Sequence, residues 1–137
     1  MIFYSKSEEE TFTIAKSLSS KVREKDVFLI SGPLGAGKSV FVRGMASGLG
    51  IDEAMPSPTF TIVNEYKGKF NVLHFDFYRL NDPFELYEIG FEDYVYSNNV
   101  SFIEWPEKGG DMVFENSIKV EIKILENERE ISIEWNR

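Results

Sequence analysis

The sequence has no cysteine, a single histidine and no apolar run long enough to cross a bilayer. The absence of cysteine excludes disulfides and metal sites built on thiolates. A membrane-spanning helix needs about 20 consecutive apolar residues, and the opening residues MIFYSKSEEE lack the apolar core of a secretory signal. We therefore expect a cytoplasmic protein with no membrane segment.

Positive charge is also scarce, since 15 Lys and Arg residues stand against 23 Asp and Glu residues and give a net charge of −8. The electrostatic field of this negative net charge repels polyphosphates, which excludes nucleic-acid binding through a broad basic face. Apolar area, in contrast, is ample, because 42% of the 137 residues are hydrophobic. This composition and length predict one compact domain spanning residues 1–137.

The hydrophobic pattern of the N-terminal third predicts alternating strands and helices. MIFY predicts a strand, and Ser7 with Glu10 three residues later is a capping box that begins a helix with Ile14, Ala15 and Leu18 on one face. The continuous apolar run DVFLI is typical of a strand buried on both faces of a parallel sheet.

Two hairpins are predicted in the remainder. TIVNEY and FNVLHFDFY flank a turn at 67–69, and SIKVEIKIL and REISIEW flank Asn127. In FNVLHFDFY, alternation places one set of side chains on the core face and a second set on a polar face that we expect to be accessible. These sets are Leu73, Phe75 and Phe77, and His74, Asp76 and Tyr78.

Two further elements lie between the hairpins. Asp82 and Pro83 predict a short helix that begins at Pro83 with Asp82 as its cap. The apolar segment VSFIEW predicts another buried strand, which ends at Glu104 and Trp105 and is stopped by Pro106.

The segment from Gly32 to Ser39, GPLGAGKS, matches the phosphate-binding P-loop and lies between the strand DVFLI and a predicted amphipathic helix. Its glycines let backbone N–H groups turn inward around a triphosphate, and the N-terminus of the next helix adds positive potential. Lys38, expected to face solvent until phosphates arrive, supplies charge, and Ser39 offers a hydroxyl to Mg²⁺. The alternative is a glycine-rich surface turn with a solvated lysine.

A P-loop needs a second carboxylate for the metal, usually at the end of the neighbouring strand. Glu104 fits that position, and Asp76 competes because it can hold the metal or orient the attacking water. Each also has a structural alternative: Glu104 can simply meet solvent, and Asp76 can pair with Arg79. The residues alone leave this choice open.

Three other residues are weaker candidates. An isolated histidine between apolar neighbours, such as His74, is more often a hydrogen-bonded structural residue than a catalyst. Thr59 follows the P-loop helix in a proline-punctuated loop and is placed to sense a γ-phosphate, as switch-loop threonines do. Arg79 either stabilises charge on the transferred phosphoryl group or forms a structural ion pair.

The segments GPLGAGKS, SPTFTIVNEY, HFDFYRL and IEWPEK, in this order, resemble the TsaE family, small bacterial P-loop ATPases of tRNA threonylcarbamoyladenosine biosynthesis. The resemblance covers nearly the whole chain. It implies an α/β, P-loop NTPase-like three-layer sandwich with a mixed parallel and antiparallel central sheet and a C-terminal β-hairpin. It also implies Mg²⁺ held by Ser39 and Glu104, which favours Glu104 over Asp76 as the metal ligand.

The resemblance further implies roles for other residues, with Asp76 and Thr59 taking part in catalysis. Residues implied to contact ATP are Thr11, Gly35, Ala36, Gly37, Lys38, Ser39, Val40 and Trp105. The implied partners are a TsaD-like threonylcarbamoyl transferase subunit and a TsaB-like companion. These partners are implied to make most of the tRNA contact, so that contact of this chain with tRNA is indirect. ATP hydrolysis is implied to reset the complex between rounds. Ser39 stands where many relatives have Thr, which keeps the hydroxyl.

Other functions remain as alternatives. A nucleotide-gated docking module would bind ATP with hydrolysis incidental. A small-molecule kinase also begins with a strand, P-loop and helix, but the sequence shows no arginine-bearing lid segment. A GTPase is disfavoured because the guanine-reading Asn-Lys-x-Asp motif does not occur.

Overall fold

The computed structural model of the protein describes residues 1–52, 63–95, 97–110 and 117–137. Its strands are β1 (Ile2–Ser5), β2 (Val27–Ser31), β3 (Val63–Lys67), β4 (Asn71–Asp76), β5 (Asn99–Glu104), β6 (Ser117–Ile124) and β7 (Arg129–Trp135). Its helices are α1 (Glu8–Leu18), α2 (Lys38–Gly48), α3 (Glu85–Glu88) and α4 (Phe91–Val95). Short 3₁₀ segments lie at Ser19–Lys21, Phe77–Arg79 and Pro106–Gly109.

The strands within these ranges form one seven-stranded sheet in the order β1-β7-β6-β2-β5-β4-β3. The central strands β6, β2, β5 and β4 are parallel, while β1, β7 and β3 pair antiparallel with their neighbours. The predicted mixed sheet and C-terminal hairpin β6–β7 are confirmed. The run DVFLI becomes β2, which has a parallel partner on each side, as its uniform apolarity predicts.

Helices cover both faces of the sheet, which confirms the three-layer arrangement. On one face α1 and α2 pack over a cluster that includes Phe28, Phe102 and Val120. On the other face α3 and α4 pack around Leu73 and Phe75, and they cover the β4 and β5 side of the sheet. None of the helices in the described ranges is long and apolar enough to span a bilayer.

The N-terminus of α1 is capped as predicted, because the Glu10 N–H donates to Ser7 Oγ at 3.1 Å. The Glu10 carboxylate accepts in turn from the Lys6 N–H at 2.7 Å. The acidic first turn of α1 suits the positive end of the helix dipole. Ala15 and Leu18 are buried, which confirms the predicted inward face.

Two expectations about this region of the chain are wrong. The helix after Asp82 begins at Glu85 rather than Pro83, because Asp82 Oδ1 accepts from the Phe84 N–H and so caps the turn before the helix. The second face of β4 is not accessible at His74, which is fully buried, or at Asp76, which is 9% exposed, whereas Tyr78 just beyond the strand is 43% exposed as expected. β4 lies inside the sheet with layers over both faces, so alternation there separates two buried environments.

Candidate functional site

The glycine loop runs from the end of β2 to the start of α2 and lies at the carboxyl edge of the parallel strands. Gly37, the N-cap of α2, has φ of +102°, a left-handed conformation that favours glycine. A Cβ on Gly32 would lie 2.6 Å from the carbonyl oxygen of Ile122, so only glycine lets the loop pass this close to β6. The predicted order of strand, glycine loop and helix is confirmed.

Lys38 does not face solvent, which corrects the expectation from the sequence. It is 5% exposed, and its Nζ donates to the carbonyl oxygens of Gly32 at 2.7 Å and Pro33 at 2.9 Å. The ammonium also lies 4.2 Å from the centroid of the Trp105 ring. Burial lowers the pKa of Lys38, and the nearby carboxylates of Glu104, Glu107 and Asp76 oppose that shift. The loop carbonyls and the indole ring thus hold the cation inside the glycine loop.

Ser39 and Glu104 meet at the mouth of the loop. In the parallel pair β2–β5, Glu104 is opposite Ile30, so the end of β5 lies beside the start of the loop. Ser39 Oγ donates to Glu104 Oε1 at 3.1 Å, and Glu104 is 3% exposed. A hydroxyl and a carboxylate are the hard oxygen donors that Mg²⁺ prefers.

The chemistry of this donor set fits a magnesium ion that is shared with a ligand. Among the described residues no group of three or more His, Cys, Asp or Glu side chains is placed to hold a metal by itself. Nucleotide-bound Mg²⁺ usually takes one or two protein oxygens and completes its shell with phosphates and water. The Ser39 and Glu104 oxygens match that requirement.

Asp76 lies next to Glu104, because the two residues are paired in the β4–β5 register and so point to the same face. Its Oδ1 accepts from the Tyr78 N–H at 2.9 Å. Burial raises the pKa of Asp76, and the Glu104 charge raises it further, against the Tyr78 hydrogen bond and the charges of His74 and Arg79. No ion pair joins Asp76 to Arg79 in the described part of the chain.

His74 has a polar partner that the sequence could not indicate. Its Nε2 lies 2.5 Å from Glu104 Oε2, and both side chains are almost completely buried. A hydrogen-bonded histidine agrees with the structural interpretation of this residue. The pairing depends on β4 and β5 being neighbours, which no local pattern specifies.

Aromatic rings form one wall of the cleft. Trp105 has φ of +57°, a left-handed conformation, and its ring centroid lies 4.9 Å from that of Tyr78. The Lys108 ammonium lies 4.7 Å from the Tyr78 centroid. The cleft encloses about 490 Å³, and its lining includes the predicted Lys38, Ser39, Val40, Asp76, Glu104 and Trp105 together with Arg43 and Tyr78, which the sequence did not single out as site residues.

A second cavity of about 260 Å³ adjoins the loop and contains Thr11. Thr11 is buried, and its Oγ1 lies 2.7 Å from Ser5 Oγ. The predicted residues that line this cavity are Thr11, Gly35, Ala36, Gly37 and Val40, and the hairpin turn 127–129 lines it as well. The sequence predicted this turn but not its position at the cavity, because the pairing of β1 with β7 brings it there. Thr59 lies outside the described residues.

These features define the P-loop nucleotide-binding class: the loop follows a buried parallel strand, the next helix begins at the loop lysine, and a neighbouring strand ends in a carboxylate. A family model described as "Threonylcarbamoyl adenosine biosynthesis protein TsaE" matches residues 5–131. The chain therefore belongs to the TsaE family, which confirms the resemblance.

The sequence aligns with those of curated relatives over most of the length of both chains. The chain is 35% identical to a tRNA threonylcarbamoyladenosine biosynthesis protein TsaE of Treponema pallidum, over 94% of this chain and 96% of that protein. It is 37% identical to the protein of the same name from Bacillus subtilis, over 90% of this chain and 78% of that protein. The crystal structure of Bacillus subtilis YdiB superposes with a TM-score of 0.84 at 30% identity, covering 100% of this chain and 86% of that one.

Proposed function

We propose that the protein is a Mg²⁺-dependent ATPase that acts with partner proteins in tRNA threonylcarbamoyladenosine biosynthesis. The names of its relatives support the pathway. The observation that carries the nucleotide chemistry is the contact of Ser39 Oγ with Glu104 at 3.1 Å beside the glycine loop. In a magnesium–triphosphate site, the protein ligands of the ion are a P-loop hydroxyl and a carboxylate at the end of the neighbouring strand.

Each part of the cleft has a role in this proposal. Backbone N–H groups of residues 35–39 at the start of α2 bind the phosphates, and Lys38 exchanges its loop carbonyls for phosphate oxygens. Ser39 and Glu104 would hold Mg²⁺, which would supply positive charge against the negative charge of the triphosphate. Trp105 flanks the nucleotide, and Thr11 lies beside its base.

Asp76 is the proposed base that orients the attacking water and accepts its proton. A carboxylate whose pKa is raised by burial is a better proton acceptor near neutral pH than an exposed one. Thr59, which lies outside the described residues, is proposed to respond to the γ-phosphate.

The proposed partners are a TsaD-like threonylcarbamoyl transferase subunit and a TsaB-like companion, in the cytoplasm. Hydrolysis would reset that assembly between rounds and would be slow without it. The net charge of −8 supports indirect contact with tRNA, because an acidic surface docks more readily on proteins than on polyphosphates.

The test is a steady-state measurement of ATP hydrolysis by the purified chain alone, then with the transferase pair, then with tRNA. We expect slow turnover that rises when the pair is added, and tRNA modification that continues past one round only with ATP. Asp76→Ala separates the ATPase from a docking module. If hydrolysis is abolished in Asp76→Ala but repeated rounds of modification continue, the ATPase proposal is wrong.

A further inference from the structure

His74 is buried inside the sheet and has one polar contact that bears on the site. Its Nε2 lies 2.5 Å from Glu104 Oε2, and the side chains of both residues are at most 4% exposed. We assign His74 Nε2–H as the donor, because the oxygens of a carboxylate that ligates a metal are acceptors. Its Nδ1 has no hydrogen-bond partner within the described ranges, so this ring makes its buried hydrogen bond only to Glu104 there.

Both oxygens of Glu104 lie within hydrogen-bond distance of Ser39 Oγ, but His74 contacts Oε2 alone. Oε2 is held by His74 at 2.5 Å, while Oε1 is the nearer oxygen to Ser39 Oγ, at 3.1 Å against 3.3 Å. A carboxylate at the end of a three-torsion side chain has several orientations available, and a short hydrogen bond from a rigid strand selects one of them.

The backbone explains why His74 is in this position. In the parallel pair β4–β5, His74 is opposite Phe102 and Asp76 is opposite Glu104, so His74 and Glu104 are diagonal neighbours on one face. That face also carries α2, which supplies Ser39. The imidazole is thus fixed by strand pairing and by packing rather than by a loop.

We propose that His74 is a positioning residue for magnesium, which holds Glu104 Oε2 so that Oε1 is presented to the ion beside Ser39. The inference rests on the proposed function, since it needs Glu104 to be a metal ligand. Hydrogen-bond partners of metal ligands commonly account for about 10- to 100-fold in metal affinity.

The test compares nucleotide affinity with and without Mg²⁺. His74→Phe keeps a flat ring and removes the donor, and His74→Gln restores an N–H near the position of Nε2. The affinity for a fluorescent ADP analogue is measured in EDTA and across a Mg²⁺ titration. Mn²⁺ binding to the ADP complex, followed by electron paramagnetic resonance, gives metal affinity directly.

In His74→Phe, we expect the Mg²⁺ concentration that gives half of the maximal change in ADP-analogue affinity to rise about tenfold or more. The affinity for the ADP analogue in EDTA should stay within about twofold of wild type. His74→Gln should recover most of the loss. Ser101→Ala, which removes another buried polar atom from β5 without a described partner, is the matched control and should match wild type. Thermal unfolding of each variant checks the fold, and His74→Leu replaces His74→Phe if the latter does not fold.

An unchanged Mg²⁺ requirement in a folded His74→Phe or His74→Leu protein overturns the inference. An equal loss in His74→Phe and His74→Gln also overturns it, because that pattern indicates packing rather than a hydrogen bond. A wild-type protein whose nucleotide affinity does not respond to Mg²⁺ instead overturns the metal site of the proposed function, which separates the two failures.

Discussion

The ammonium of Lys38 lies 4.2 Å from the centre of the Trp105 ring while it donates to carbonyls of its own loop. The proposed nucleotide site requires that Lys38 turn towards phosphate, which changes the charge above the indole. We predict that ATP or ADP binding changes the fluorescence of Trp105. Trp135, the other tryptophan, packs on Phe28 away from the cleft and provides the control.

Trp105→Phe should abolish the fluorescence change, and Trp135→Phe should retain it. Titration of both variants with ADP in the presence of Mg²⁺ makes the comparison. A Trp135→Phe protein that binds ADP without any change in fluorescence would show that Lys38 does not leave the Trp105 ring.

Lys38→Ala is expected to weaken ATP binding by about 10- to 100-fold, because charged hydrogen bonds contribute about 1.5–3 kcal/mol each. Isothermal titration calorimetry measures the affinity. Lys16→Ala, an exposed lysine in the last turn of α1, is the control and should bind as wild type. Undiminished affinity in a folded Lys38→Ala protein would exclude the lysine from the site.

Asp76→Asn should make the protein more stable at neutral pH. Asn keeps the oxygen that accepts from Tyr78, and it removes a buried charge. The folded pKa of Asp76 is raised above its ordinary value of 3.8, so the folded state binds more protons than the unfolded state just above pH 3.8, and stability falls as pH rises through this window.

Urea unfolding of wild type and Asp76→Asn from pH 3.5 to 7.5 tests this sign. The stability difference in favour of Asn should be smallest at the acidic end, grow as the pH passes through the raised pKa, and then level off. In the same variant ATP hydrolysis should fall by about 100-fold or more if Asp76 is the base. A wild type that gains stability relative to Asn with rising pH would reverse our assignment of the shift.

Glu104→Gln should abolish the effect of Mg²⁺ on nucleotide affinity. In EDTA the variant should bind ADP at least as tightly as wild type, because a negative charge next to the phosphates has been removed. Glu107→Gln changes an exposed carboxylate in the following 3₁₀ segment and is the matched control. If Mg²⁺ changes the nucleotide affinity of Glu104→Gln as much as that of wild type, Glu104 is not the metal ligand and Asp76 becomes the candidate.

Gly44→Ala should destabilise the protein although alanine favours helices by about 1 kcal/mol over glycine. A Cβ at this position would lie 2.5 Å from the carbonyl oxygen of Phe12 and 2.8 Å from the Cβ of Ala15, so α1 and α2 would have to separate. Overpacking of this kind costs about 1–3 kcal/mol. Chemical unfolding measures the loss, and Ser47→Ala on the same helix should change stability little.

Local patterns predicted the centre of the fold. The run DVFLI, the glycines and the helix after Lys38 lie within one continuous segment, so their spacing alone defines strand, loop and helix. Glu104 could be placed beside them because a strand that ends in an acid is expected next to the P-loop strand. The structure places it there, with Ile30 opposite it.

Features that depend on distant strand pairing were not predictable from these patterns. His74 alternates with apolar residues, which indicates two faces but not that both are covered. Lys38 carries a charge, and its burial depends on carbonyls and a ring that only the folded loop brings together. The turn at 127–129 reaches the Thr11 cavity because β1 pairs with β7.

The insertion of β6 beside β2 has a consequence for biosynthesis. The loop at 32–39 leaves the ribosome long before Ser117 is translated, yet β6 is the strand that flanks β2 on one side and whose Ile122 carbonyl abuts Gly32. A nascent chain that lacks β6 has a phosphate loop without this wall. The β6 side of the loop is therefore completed late in synthesis, and a chain that ends before Ser117 lacks the strand that pairs with this edge of β2.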